Sequence, residues 1–358
     1  MSMWLQLALT GLLFAGIPLG IVKFSGETNH YRKLIAVTLV LTFELIMFGA
    51  FTRLTDSGLG CPDWPGCYGQ SNPFLAHADI KAAESLAPMG PVSVSKAWIE
   101  MLHRYLATSV GVLILLQCAY AWIKRKSLRQ SPMMASLLVA MVCLQGAFGA
   151  WTVTLKLQPI IVTGHLLLGL TLLMLIVFAN ERQKNRVPEV VTIGFQALTG
   201  FALLILFVQL ALGGWVSTNY AAMACGDYPL CNGHWMPALD WSHGFSFWRA
   251  LGRTANGEYL PFSALETIQW VHRSFAWFVF LVLLVTAKLA YAKPAFRRLA
   301  KWLIAFLCLQ IASGIATVYF AWPLALAVLH NGGAVSLVLV LSMLNYRVWV
   351  SPRLLDRI

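Results

Sequence analysis

Apolar residues run in long blocks along this chain, and polar residues gather between them. A helix rises 1.5 Å per residue, so roughly 20 apolar residues cross the ~30 Å hydrocarbon core of a bilayer. Nine blocks reach that length, at about 4–22, 33–54, 98–123, 132–154, 160–180, 191–217, 265–292, 298–320 and 323–346. The pattern predicts an all-α polytopic membrane protein whose main partner is the lipid bilayer. No basic residue precedes the first block, and Lys23 follows it. A cleaved signal peptide carries positive charge ahead of its apolar core, so Trp4 to Val22 reads as a retained span.

Composition agrees with the blocks. Apolar residues make up 59% of the chain and charged residues 11%, against about 25% charged in soluble domains. The net charge of +12 would suit nucleic acid, but its placement argues against that. Lys and Arg concentrate in the loops 23–33, 124–131, 181–190 and 293–301 and after Tyr346, as in Lys124, Arg125, Lys126 and Arg129, then Arg297, Arg298 and Lys301. These loops alternate with base-poor ones. By the positive-inside rule the basic loops face the cytoplasm. The long loops 55–97 and 218–264 then face the periplasm of a bacterial-type inner membrane, with the N-terminus outside and the C-terminus inside.

Landmarks recur at a nearly fixed separation. Cys61 and Cys67 reappear as Cys225 and Cys231, 164 residues on; Gln145, Thr152, Val153 and His165 reappear as Gln310, Thr317, Val318 and His330, 165 on; His103-Arg104 reappears as His272-Arg273, 169 on. Residues 33–180 and 191–348 therefore read as two four-helix-bundle repeats. Both begin on the cytoplasmic side, so they are parallel repeats about an axis along the membrane normal. Residues 1–32 add an extra N-terminal transmembrane helix and a cytoplasmic linker.

Each repeat holds two histidines inside spans. Counted from the outer ends of the apolar blocks, His103 and His165 lie about five residues in, and His272 and His330 about seven. Ionisable residues at membrane depth are costly and mark function by default. Zinc usually takes three or four protein ligands. Two facing histidines on different helices instead suit the axial positions of haem. Arg104 and Arg273 directly follow a histidine, and a guanidinium pairs well with a carboxylate such as a haem propionate; snorkelling to the interface is the competing role.

The two outer cysteine pairs sit where disulfides are permitted, as a structural staple or a redox-active pair. Cys118, Cys143 and Cys308 lie within spans and read as small buried residues. Glu100 precedes His103 by three residues, on the same helix face; its repeat position holds Gln269, three before His272. A carboxylate beside a lipid-buried site can exchange protons or stabilise positive charge. Glu44, mid-span, has no repeat partner and reads as structural.

The segments RLTDSGLGCPDWPGCYG at 53–69, EMLHR at 100–104, GH at 164–165, QWVHR at 269–273 and LHNGG at 329–333 resemble the haem A synthases. The resemblance covers about residues 33–348; the extra N-terminal span departs from that family's eight-helix pattern. It implies an oxidoreductase that converts the C8 methyl group of haem O to a formyl group, giving haem A for terminal oxidases with haem b as cofactor. His272 and His330 would ligate haem b, with Arg273 beside them. His103 and His165, with Arg104, would flank the substrate haem. Glu100 matches the family's essential acid, Cys61 and Cys67 its outer-loop pair, and Cys225 and Cys231 a second pair found in part of the family. Implied partners are haem O delivered by a haem O synthase and an unidentified electron donor or acceptor; a homo-oligomer is compatible. Two other classes fit parts of the pattern. A quinol-linked two-haem b carrier explains four histidines but not the Glu100/Gln269 difference. A parallel-repeat transporter explains the duplication but not the histidine pairs.

Overall fold

The computed structural model describes residues 3–24, 29–128, 131–184 and 189–355. Of the positions named above, residues 25–28, Arg129 and residues 185–188 lie outside the described residues. The described residues form α1 (Met3–Phe24), α2 (His30–Leu54), α3 (His77–Leu86), α4 (Val94–Ile123), α5 (Met133–Thr154), α6 (Pro159–Arg182), α7 (Ile193–Thr218), α8 (Trp241–Gly244), α9 (Phe262–Tyr291), α10 (Arg297–Tyr319) and α11 (Leu324–Leu355). Among them, nine are long and apolar enough to cross a bilayer: all but α3 and α8. The chain is a multi-pass, all-helical membrane protein.

The apolar blocks placed these helices well, but two ends lie further out. α4 starts at Val94 because Ser93 caps it, its hydroxyl accepting the Lys96 N–H at 3.3 Å. α9 starts at Phe262, just after Pro261, which lacks an N–H to lose. His103 is therefore the tenth residue of its helix and His272 the eleventh, while His165 and His330 are each the seventh of theirs. Counted from the helix starts, His103 lies three residues further along than His165, and His272 four further than His330. Cys143 and Cys308, expected to be buried, are exposed; a thiol is apolar enough to face lipid.

The chain divides into two compact units, Met1–Leu157 with Thr171–Gln183, and Gln158–Leu170 with Lys184–Ile358. In the first, α4 packs against α1, α2, α3 and α5, and α1 also meets α2. In the second, α7 meets α9, α9 meets α10, α10 meets α11 and α11 returns to α7, closing a ring of four; α8 lies on α9. Each unit carries a polar tie between helices: Gln117 Nε2 donates to Thr38 Oγ1 at 2.6 Å, and Asn345 Nδ2 to the Thr199 carbonyl at 2.9 Å. In hydrocarbon such groups need internal partners.

Eight non-glycine residues among those described have positive φ: Asp56, Tyr68, Lys156, Leu157, Tyr220, Asn232, Ala321 and Trp322. Left-handed backbone is disfavoured for such residues. They nevertheless pair as Asp56 with Tyr220, Tyr68 with Asn232, Lys156 with Ala321 and Leu157 with Trp322, at separations of 164 or 165.

Candidate active site

Both loop cysteine pairs are closed as disulfides, Cys61–Cys67 and Cys225–Cys231. Each makes a small ring folded back on itself by one buttress. Asp63 accepts the Tyr68 N–H at 2.6 Å through Oδ1 and the Gly69 N–H at 2.7 Å through Oδ2. Asp227 accepts the Asn232 N–H at 2.6 Å and the Gly233 N–H at 2.8 Å in the same way. Gly69 and Gly233 take φ of 69° and 83°, where a side chain would be strained. The Gly233 N–H, and after it that of Asn232, holds the Asp227 carboxyl below the usual carboxylate range, against a smaller opposing effect of burial.

The helix behind each ring supplies an arginine. Arg104 Nη1 donates to the carbonyls of Asp63 at 2.9 Å and Pro65 at 3.3 Å, and also to that of Gly66. Arg273 Nη1 donates to the carbonyls of Asp227 at 2.7 Å and Leu230 at 3.3 Å, and Nη2 to that of Cys225 at 2.7 Å. Both guanidiniums thus clamp loop backbone.

The residue one helical turn before each arginine separates the two loops. Glu100 is 4% exposed. Its Oε2 accepts the Cys61 N–H at 2.7 Å, and its Oε1 forms an ion pair with Arg104. Gln269, 5% exposed, donates from Nε2 to the Ala222 carbonyl at 3.0 Å. The Cys61 ring is braced further by α1. Leu7 and Phe14 pack on the cluster of Cys61, Cys67, Ile80 and Met101, the Ser71 hydroxyl bonds Gln6, and Tyr105 donates to the Ser71 carbonyl at 2.7 Å.

On α4 His103 sits between Glu100 and Arg104, and on α9 His272 sits between Gln269 and Arg273. Phe48 stacks on His103 with ring centroids 6.3 Å apart. Gly49 of α2 backs the same ring: a Cβ there would lie 3.0 Å from His103 Cε1. His165 lies in segment Gln158–Leu170 and His103 in Met1–Leu157, so the two belong to different compact units. His272 and His330 share the second unit and are close enough to interact electrostatically. Gly213 backs His272 and Gly314 backs His330, each 3.0 Å from Cε1 to a would-be Cβ. Gln209 Nε2 lies 3.1 Å from His272 Nδ1, Ser313 Oγ 3.0 Å from His330 Nδ1, and Gln310 Nε2 3.1 Å from His330 Nε2. The Oε1 atoms of Gln209, Gln269 and Gln310 are buried without a hydrogen-bond partner.

This donor set fits haem. It offers two imidazole nitrogens on different helices, each backed by glycine, with buried polar atoms around them awaiting partners. Among the described residues no group of three His, Cys, Asp or Glu could hold a bare metal ion.

A profile of the family described as COX15-CtaA, cytochrome oxidase assembly protein, matches residues 32–342. The chain belongs to this family. The COX15-CtaA match begins after α1 and spans every residue of the two clamps and all four histidines. Curated relatives share it nearly end to end. A haem A synthase of Shewanella oneidensis is 39% identical over 88% of this chain and 96% of its own length. Haem A synthases of Caulobacter sp. strain K31 and Shouchella clausii are 29% and 26% identical, over 87% and 90% of this chain and 94% and 97% of their own lengths.

The aspartate buttresses, the backing glycines, Gln209 and Ser313 were not picked out from sequence. Asp63 and Asp227 stand 164 apart, so the repeat spacing itself would have found them.

Proposed function

We propose that the protein is a haem A synthase, an oxidoreductase converting the C8 methyl of haem O to the formyl of haem A. The observation that carries this is the nearly end-to-end likeness to named haem A synthases; the roles below are our assignment, with the geometry that supports each. His272 and His330 hold haem b, supported by their shared unit, backing glycines and partnered Nδ1 atoms. His103, with Glu100 on the same helix face, serves haem O. When bound, haem b supplies redox chemistry beside the substrate.

Glu100 is the acid of the reaction. It shares a helix face with His103 and is shielded from water by the Cys61 ring, so its carboxylate can take a proton or offset developing positive charge at the substrate. Arg104 and Arg273 serve their sites by clamping the rings over them. The units 33–180 and 191–348 are duplicated bundles, a reading supported by the landmark separations and the paired positive-φ residues. Charge placement supports cytoplasmic basic loops and periplasmic cysteine loops. Haem O comes from a haem O synthase, and the electrons pass to a partner whose identity no residue here specifies.

Pigment extraction from membranes co-expressing this chain with a haem O synthase tests the function. Haem A is the expected product. Protohaem alone would make the protein a two-haem carrier and overturn the proposal.

A further inference from the structure

A haem A synthase must retain one haem and exchange the other. We infer that Gln209 and Ser313 are positioning residues that fix the two cofactor histidines for iron and so distinguish the retaining site from the exchanging one. The inference rests on the reading that His272 and His330 hold haem b.

An imidazole that ligates a metal through one nitrogen almost always donates its other N–H to a neighbouring acceptor, which sets tautomer and ring orientation. At His330 the acceptor is in place. Ser313 Oγ lies 3.0 Å from Nδ1, and its hydroxyl donates to the Gln310 carbonyl at 3.2 Å. With that proton committed, Oγ accepts from Nδ1–H, and Nε2 keeps its lone pair. Gln310 Nε2, at 3.1 Å, occupies that lone pair with a donor that iron would displace. At His272 the amide of Gln209 lies on Nδ1, and its Oε1 is buried without a partner. The same amide nitrogen donates to the His272 carbonyl at 3.2 Å; a half-turn of the amide gives up that bond to bring the oxygen, an acceptor, onto Nδ1–H and leave Nε2 for iron.

The first unit carries the same frame with different residues. Gly49 backs His103 as Gly213 backs His272, at the same 3.0 Å. Gln209 lies four residues before Gly213, and Leu45 lies four before Gly49. Ser313 lies one residue before Gly314; 165 residues earlier, Phe148 lies one before Gly149. Leu45 and Phe148 have no side-chain acceptor, so these registers cannot perform in the first unit what they perform in the second. The Gln209 and Ser313 registers are thus where the proposed cofactor site differs from the repeat positions before it.

The test uses the full-length protein purified with its haem. Ser313→Ala and Gln209→Leu give the second unit the first unit's apolar character; Ser313→Thr and Gln209→Glu keep an acceptor. Haem transfer to apomyoglobin gives the rate of loss, electron paramagnetic resonance gives the low-spin signature, and circular dichroism reports helix content. Losing an outer partner of a metal ligand typically weakens binding about 10–100-fold, so haem loss from the Ala and Leu variants should quicken by about that factor, with a shifted low-spin signal. The Thr and Glu variants should stay near wild type. Unchanged transfer and signal in both Ala and Leu variants overturn the inference. So does a Ser313→Thr variant that loses haem as fast as Ser313→Ala, since size and not the hydroxyl would then matter. If the wild-type protein carries no low-spin haem that depends on His272 and His330, the underlying assignment fails instead.

Discussion

At the Cys61 loop, α4 presents Glu100 and Arg104; at the Cys225 loop, α9 presents Gln269 and Arg273. Both arginines clamp loop carbonyls, and both rings are buttressed by an aspartate accepting two backbone N–H groups. The loops differ in the direction of one hydrogen bond. Glu100 accepts from the Cys61 backbone, whereas Gln269 donates to the Ala222 carbonyl. An amide can hold a loop as well as a carboxylate can. The acid therefore adds something beyond holding, namely a charge and a proton site one turn from His103. One scaffold used twice, with a carboxylate at only one copy, is what the proposed division into a substrate site and a cofactor site requires.

The strongest way to break this comparison is Glu100→Gln, which makes the first clamp resemble the second. General acid–base help is worth about 10²–10⁴-fold, so the ratio of haem A to haem O in membranes should fall by that order. The haem b content of the purified variant should persist, because the second unit is untouched. Gln269→Glu should leave conversion far closer to wild type. Near-normal haem A from Glu100→Gln would reduce Glu100 to a loop anchor.

A smaller effect separates the two arginines. Arg104 faces a buried carboxylate, with side chains 12% and 5% exposed, whereas the contacts of Arg273 named here are neutral carbonyls. Removing one partner of a buried ion pair costs about 3–5 kcal/mol; leaving buried carbonyls unsatisfied costs about 1–3 kcal/mol. Arg104→Met should therefore lower the thermal midpoint in detergent more than Arg273→Met. Adding Glu100→Gln to Arg104→Met should recover part of the loss, since the stranded charge is gone. Equal losses from the two single variants would mean that the carboxylate is not sustained by Arg104.

Much of this was legible in the sequence. The membrane helices were plain because lipid demands long uninterrupted apolar runs, and Glu100 and His103 stood out by their helical spacing. α3 was missed because HADIKAAESL is short and half polar, and Ile80 is its one buried residue. The starts of α4 and α9 were placed late because caps lie outside the apolar block they serve, as Ser93 and Pro261 do. Asp63 and Asp227 sit among glycines and prolines, where an aspartate looks like an ordinary turn residue. Gln209 and Ser313 were hidden for the opposite reason: a search for repeated residues passes over them, since Leu45 and Phe148 hold the matching registers. What distinguishes the two units lies where the repeat fails.

The smallest effect concerns the buttresses, and it sharpens the comparison most finely. Asp227 is held below its ordinary pKa chiefly by the Gly233 N–H, then by that of Asn232. A carboxyl whose folded pKa is depressed lends stability that is complete above its unfolded value, about 3.9, and is lost as pH falls through the folded value. Reduction of the Cys225–Cys231 disulfide by a phosphine should therefore quicken below about pH 4, as protonation releases the two N–H groups. Asp227→Asn keeps one acceptor and turns its amide hydrogens toward the other N–H. It should make reduction moderately faster at neutral pH and flatten the acid dependence. Asp63→Asn removes the matching buttress from the Cys61 ring, but that ring has a second anchor, the bond from the Cys61 N–H to Glu100. Its disulfide should consequently respond less than the Cys225 disulfide does. Combining Asp63→Asn with Glu100→Gln leaves an amide carbonyl on the Cys61 N–H, a weaker acceptor than a carboxylate, and weakens the hold of Arg104 on the ring. The response should then rise to match that of the second loop. Equal responses from the two single aspartate variants would show that Glu100 does not hold the Cys61 ring.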